Sequence, residues 1–371
     1  MKISTSKLEL QTALQKLSKA TPSRATLPIL NSVLFSVDEN KTTIKSTDLE
    51  ITVVVSLPAS VEEGGGVAIP LHMLLNITNE LPDETRVNIK TDEENKINIS
   101  TDSGNYNIVG KPADEFPNTP DVETKNNIEI DGGTLKQVIN KTAFAVSRDD
   151  LKPALTGVLF KFNQNNITTV ATDGHRLVKY ETTNNTATDQ AEDVIVPKKF
   201  LNLLSGSLGD EKIKLSVGEN HLTTTVGSDQ YFTRIIDEKF PDFDGVIPKD
   251  NDKNFNVDRN LLLSAVKRVS IFSNKSTHQI ALQLNSDQAS VSTEDPEQST
   301  KASEEIKGNY QGDDITVGYN AAYLKDVLSH INSDEVVVQL KSPISAALFL
   351  PKEQEKNSNL TMLLMPIRLN D

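Results

Sequence analysis

The sequence predicts an α+β protein in three tandem copies of one unit. Three observations carry that prediction. Landmarks recur in one order along the chain, short alternating runs lie between two helical patterns in each copy, and positive charge collects on the helical patterns. At 371 residues the chain is also too long for a single ordinary core, which suggests two or three domains.

The repeats come first. Thr47-Asp48 returns as Thr172-Asp173, 125 residues on, and more loosely as Thr293-Glu294, a further 121 on. LPILNSVLFSV from Leu27 resembles KPALTGVLFKF from Lys152, and DEFPNTP around Phe116 matches EKFPDFD around Phe240. The stretch VAIPLHMLLNITNELP from Val67 resembles VIVPKKFLNLLSGSLG from Val194 and ITVGYNAAYLKDVLSH from Ile315. Four kinds of landmark in the same order are hard to obtain by chance. They divide the chain at 1–125, 126–249 and 250–371, with joints expected at 121–127 and 248–254. Each copy is far longer than a solenoid repeat and can hold its own core.

Within a copy the elements follow from periodicity. The unit is expected to open on an amphipathic helix. Ser6 and Glu9 have capping-box spacing, and Leu10, Ala13, Leu14 and Leu17 make one apolar face at period 3.6. Alternating runs such as RVNIKT and KINIST then read as strands, joined by turns at DENK, EENK and DSGN. The three matched stretches beginning at Val67, Val194 and Ile315 read as the second helix, after which each copy finishes in more strands.

Composition narrows the function. Hydrophobic content of 36% with 24% charged residues is that of a globular protein, and no apolar run is long enough to span a bilayer. The N-terminus MKISTSKLEL lacks the apolar core of a secretory signal. There are no cysteines, which excludes disulfides and thiolate chemistry and fits the cytoplasm. The formal net charge is −14, but it is unevenly spread. The six helical stretches with their immediate ends carry 15 positive and 6 negative residues, leaving −23 on the rest. Glutamate suits helices as well as lysine does, so propensity alone does not explain the sorting. Helices sharing one side would make a sequence-blind phosphate surface. With no tryptophan and 5% aromatics there is no stacking platform for single strands.

ATDGHRL, residues 171–177, is the densest cluster of polar function. Because the Thr-acid pair recurs, Asp173 reads as the brace of a turn. Gly174, His175, Arg176 and Leu177 occur only in the middle copy and are the candidates for function. Asp173 and His175 could serve a hydrolase as acid and base. Against that, adjacent loop residues rarely point at one another, and no glycine-flanked nucleophile or HExxH is present. The histidines, at 72, 175, 221, 278 and 330, lack metal-site spacing. No catalytic residue, metal or cofactor is expected.

The three copies, the basic helices, ATDGHRL and the near-terminal MPIRL together resemble the bacterial sliding clamps, the beta subunits of DNA polymerase III. The resemblance covers the whole chain. It implies three DNA-clamp domains with helices on one face of antiparallel sheets, closed into a ring as a head-to-tail homodimer around double-stranded DNA. It implies no chemistry, but a processivity factor in the cytoplasm, associated with the nucleoid. Its partners would be DNA, held without sequence preference, the replicative polymerase, the clamp loader and other proteins carrying clamp motifs, with no membrane. Loading in the family needs a separate ATP-driven machine, and no GxxxxGK[ST] motif occurs here.

Carried over position by position, the resemblance implies a partner-peptide groove between the second and third domains. Leu155, Thr172 and Gly174 to Leu177 would form one wall and Pro241 with Val246 another. Asn320, Tyr323 and Ile344 would lie across the cleft, and Met365, Pro366, Ile367, Arg368 and Leu369 would close it. Apolar side chains would supply burial while Arg176, Asn320 and backbone groups fix the peptide's polar atoms. DNA contacts would come from Arg24, Arg148, Lys152, Lys198 and Lys199. Tyr106 and Ile108 would meet Ile271 and Phe272 of the other chain at the dimer seam, near Glu304 and Glu305. Three departures stand out. Gly245 and Ile367 replace commoner arginine and methionine, and Ser103 and Asn105, with only Lys96 nearby, stand where the family often places basic residues. An acidic, β-rich scaffold that binds only proteins is the competing reading.

Overall fold

The structure, a computed structural model, describes all residues except 23, 24, 26, 40, 184, 185, 189, 190, 287, 370 and 371, and the side chains of 186–188. The first copy runs β1 (Lys2–Ser6), α1 (Lys7–Ser18), β2 (Ser32–Asp38), β3 (Lys41–Thr47) and β4 (Ile51–Ser56). It continues through β5 (Ser60–Glu63), β6 (Gly65–Pro70), α2 (Leu71–Glu80), β7 (Arg86–Thr91), β8 (Lys96–Ser100) and β9 (Asn105–Val109). A two-residue strand, β10 (Lys111–Pro112), follows.

The second copy has the same order: β11 (Thr124–Asp131), α3 (Gly132–Thr142), β12 (Gly157–Phe162), β13 (Asn166–Thr172) and β14 (Arg176–Thr183). Then come β15 (Thr186–Thr188), β16 (Glu192–Pro197), α4 (Lys198–Ser205), β17 (Lys212–Gly218), β18 (His221–Val226) and β19 (Asp229–Arg234). The third opens with β20 (Lys253–Asp258), α5 (Arg259–Val269), β21 (Gln279–Leu284), β22 (Ala289–Asp295) and β23 (Thr300–Ile306). It ends with β24 (Gly308–Gln311), β25 (Ile315–Asn320), α6 (Ala321–Ser329), β26 (Glu335–Leu340), β27 (Ala347–Pro351) and β28 (Ser358–Leu364).

Two expectations are corrected. Each copy opens on a strand, not a helix. The matched second-helix stretches begin as strands too: β6, β16 and β25 occupy their first residues, and α2, α4 and α6 only the remainder. Runs such as Val67-Ala68-Ile69 and Val194-Ile195-Val196 are buried at every position, so they show no period-2 signature. α1 does follow its sequence signals. Ser6 Oγ accepts from Glu9 N at 3.2 Å and Glu9 Oε2 accepts from Ser6 N at 3.4 Å, while Leu10, Ala13, Leu14 and Leu17 are all buried.

The chain divides into two compact units, 1–133 with 199–235 and 134–198 with 236–371, so the middle copy contributes to both. In the first unit one sheet is ordered β5-β1-β7-β8-β9 and another β10-β6-β2-β3-β4-β19-β18-β17-β11. In the second unit the orders are β16-β12-β13-β14-β28-β27-β26-β20-β24 and β23-β22-β21-β25. Each unit joins two copies in the same way: β4 pairs antiparallel with β19, and β14 with β28. β9 and β23 each end a sheet within their own unit. Among the described residues no helix is long and apolar enough to cross a membrane.

Candidate partner groove, cationic helices and edge strands

The Thr-acid turns of the first two copies share one hydrogen-bond set. Thr47 Oγ1 donates to Ile51 O at 2.9 Å and accepts from Leu49 N, while Asp48 Oδ1 accepts from Glu50 N and Ile51 N. Thr172 Oγ1 donates to Arg176 O at 2.6 Å and accepts from Gly174 N, while Asp173 Oδ1 accepts from His175 N and Arg176 N. A short carboxylate two residues ahead of free backbone N–H groups closes such a turn. The third copy departs from this. Thr293 Oγ1 donates to Gln279 O and Glu294 pairs with Lys301, whereas buried Asp295 accepts from Glu297 N. The loose match Thr293-Glu294 is therefore not the same turn.

Arg176, expected to bind partner atoms, spends its guanidinium inside the protein. It is 7% exposed, with Nε donating to Asp173 Oδ2 at 3.1 Å, Nη1 to Asp326 Oδ2 at 2.6 Å and Nη2 to Phe144 O at 3.0 Å. Its charge lies 4.7 Å from the centre of the Tyr323 ring and 5.2 Å from that of Phe144. Asn320 is also engaged: its Oδ1 caps α6 by accepting from Ala322 N and Tyr323 N. Both side chains are thus committed within the chain.

That surface rests on a core cluster of Leu159, Val170, Leu177, Ile195, Phe243, Leu348 and Leu363, with Phe240 and Ile247 packed against it. Leu177 belongs to this bed rather than to the surface. Leu155 is half-buried, whereas Val246 (55%), Ile344 (72%) and Met365 (41%) are exposed, as is Pro241. The C-terminal stretch is tied to both copies of its unit. Met365 N donates to His175 O at 2.8 Å and Ile367 N to Gly318 O at 2.9 Å. A Cβ at Gly318 would lie 2.5 Å from Ile367 O and 2.8 Å from Leu369, so only glycine lets the strand approach so closely. Pro366 is half-buried and Arg368 exposed. Among the described residues no group of three or more His, Asp or Glu could hold a metal.

Comparison with known proteins bears on the whole chain. Family models of the DNA polymerase III beta subunit match residues 1–120 (N-terminal domain), 129–242 (central domain) and 244–368 (C-terminal domain). The chain belongs to the DNA polymerase III beta subunit family. It is 31% identical over 360 residues to the beta sliding clamp of Pseudomonas putida, covering 96% of each chain. It is 28% identical over 374 residues to that of Escherichia coli, covering both chains fully. Crystal structures of sliding clamps from Pseudomonas aeruginosa and Bartonella birtlesii, each bound to griselimycin, match with TM-scores of 0.90 and 0.93. Their identities are 30% and 26%, over the full length of both chains. Three tandem clamp domains of mixed helix and antiparallel sheet follow.

The cations on the helices of this chain are less free than the charge count suggests. Arg24 lies outside the described residues. Lys199 donates to Asp48, Lys16 pairs with Asp229 at 2.6 Å, Lys7 with Asp83 at 2.7 Å and Lys141 with Glu355 at 3.4 Å. Arg148 and Lys152 are exposed and Lys198 is half-buried. Burial, reinforced by the charges of Arg148 and Arg176, lowers the Lys198 pKa below the ordinary lysine value.

At the edges, β9 carries exposed Tyr106 beside buried Ile108, and Ile271 (77%) and Phe272 (43%) are exposed just after α5. Glu304 on β23 is already held by its own chain. Arg268 Nε donates to its Oε1 at 2.8 Å and Nη2 to its Oε2 at 2.6 Å, and this two-point pairing lowers the Glu304 pKa. Local sequence carries no sign of this pair, because the two residues stand 36 positions apart.

Proposed function

We propose that this chain is the processivity clamp of bacterial DNA replication: a head-to-tail homodimer that encircles duplex DNA, slides on it and tethers the polymerase. The open sheet edges carry the reading. Inside the chain, the third hairpin strand of one copy always pairs with the last strand of the next. Among the described residues β23 and β9 each end a sheet with one edge unpaired, and a second chain supplies each with its partner. In this reading the domains run 1–125, 126–249 and 250–371, and Tyr106, Ile271 and Phe272 cover the seam, while Ile108 is buried within its own chain.

Arg148, Lys152 and Lys198, with Arg24, face the phosphates. Lys199 contributes less because Asp48 neutralises it. Partners dock by a short apolar segment over Leu155, Val246, Ile344 and Met365, with His175 and Tyr323 alongside. These partners include the polymerase, the clamp loader and other clamp-motif proteins. Related clamps hold griselimycin, which fits a docking surface of this kind. No reaction is assigned. Asp173's oxygens serve the turn and Arg176, so it is not the orienting acid of the His175 ring, and the hydrolase reading is not favoured. The place of action is the cytoplasm, on the nucleoid.

The deciding experiment is retention on nicked circular DNA before and after one restriction cut, with a compatible loader, ATP and salt high enough to screen phosphate contacts. Retention lost on cutting supports the ring. Equal retention on both forms indicates an ordinary DNA binder, and none on either returns the protein-only scaffold.

A further inference from the structure

Behind the groove wall lies a continuous stack of flat groups. His175 stacks on Tyr323 with centroids 5.8 Å apart and planes at 18°. The Arg176 guanidinium lies between Tyr323 and Phe144. Phe144 in turn stacks on His330 at 3.8 Å and 10°. The five come from four separate places: the end of the α3 region, the ATDGHRL turn, the first turn of α6 and its C-terminal cap.

We propose that Phe144 and His330 are positioning residues for partner docking, acting through Arg176 and Tyr323, and that protonation of His330 weakens docking. This rests on reading the surface around His175 and Tyr323 as the partner site. The argument is geometric. Arg176 has carboxylates on two sides, and its charge lies over the Tyr323 and Phe144 rings, where cation–π contact depends on registry. Phe144 is itself fixed by His330, whose Nδ1 lies 2.7 Å from Asp326 O. The neutral ring donates there, while its own backbone oxygen accepts from buried Lys141 at 3.0 Å.

The charges around His330 set the sign. From α6 it faces the Asp326 carboxylate, from α3 Lys141, and from β14 Arg176. Glu355 offsets Lys141, accepting also from Gln137 and from Asn332 at 2.9 Å. Burial lowers the His330 pKa below 6.5, so the ring is neutral at pH 7. As pH falls it gains a proton beside two cations, in a half-buried place, and the stack loosens.

The test measures griselimycin binding by calorimetry on the full chain at pH 7.5 and pH 5.5, with melting temperature as a control. Phe144→Leu keeps an apolar side chain but removes the ring; binding should weaken about tenfold with melting shifted by only a few degrees. Phe144→Tyr should restore it. His330→Phe keeps the ring and should bind as the parent does at pH 7.5, but lose less affinity at pH 5.5. His175 is present in both, so the difference belongs to His330. Phe144→Leu binding within about twofold of the parent, or His330→Phe with the parent's full pH dependence, overturns the proposal. If Ile344→Asp and Met365→Asp leave griselimycin binding unchanged, the groove reading itself is wrong and this proposal falls with it.

Discussion

Leu49 and Gly174 occupy the same position in the two matching turns, with φ of 78° and 89°. The left-handed region costs a leucine but not a glycine. Gly174→Ala should therefore lower stability by about 1 kcal/mol although nothing lies within 4 Å of the added carbon. Leu49→Gly should lose no more than about 0.5 kcal/mol, because strain relief offsets the lost burial of a half-exposed side chain. A loss of 2 kcal/mol or more by urea denaturation would contradict that, on the roughly 2–5 kcal/mol scale of core leucine truncations. Asp173→Ala removes the turn brace and one partner of a buried cation, at a cost of about 2–3 kcal/mol. His175→Ala should leave stability within about 1 kcal/mol and weaken only docking. The recurrence of the Thr-acid pair made Asp173's turn legible. Nothing in the sequence tied Arg176 to Asp326, 150 positions away.

At the level of elements, the helices announced themselves where their start signals are local. The Ser6–Glu9 box needs only four consecutive residues to be recognised, and it forms. Ser6→Ala should cost about 1 kcal/mol in thermal or urea unfolding, since two backbone donors lose their arrangement. Strands were legible where one face is wet, as in RVNIKT and KINIST. They were missed ahead of α2, α4 and α6, where both faces are covered and the alternation vanishes. Periodicity reports exposure, so an element buried on both faces is silent to it.

Across the whole molecule, charge sorting needs a finer reading. Several helix cations are neutralised at home, including Lys7, Lys16, Lys141, Lys199 and Arg268. The two strands of the proposed seam carry little open charge: β9 reads NYNIV, and on β23 Glu304 and Lys301 pair within the chain while Glu305 is exposed. Closure of the proposed dimer would then depend on backbone pairing and apolar contact, against the repulsion of two chains of net charge −14. Raising NaCl from about 0.05 to about 0.5 M should leave the dimer Kd unchanged or lower it, by sedimentation equilibrium. Weakening beyond about tenfold would mean that ion pairs between chains hold the seam. Arg268→Ala, which leaves Glu304 unpaired at the edge, should weaken the dimer and make it respond to salt.

The sequence by itself determined the repeat, the family, the first helix of the chain and the absence of thiol chemistry, because each is written in neighbouring residues or in composition. Only the tertiary structure decided which polar groups remain available. Arg176, Asn320, Lys199 and Glu304 look alike on paper as free binding groups. Each proves to be satisfied by a residue or backbone group brought close by folding. A charged side chain's availability depends on its neighbours in space, and long-range pairing, unlike periodicity, leaves no trace in local sequence.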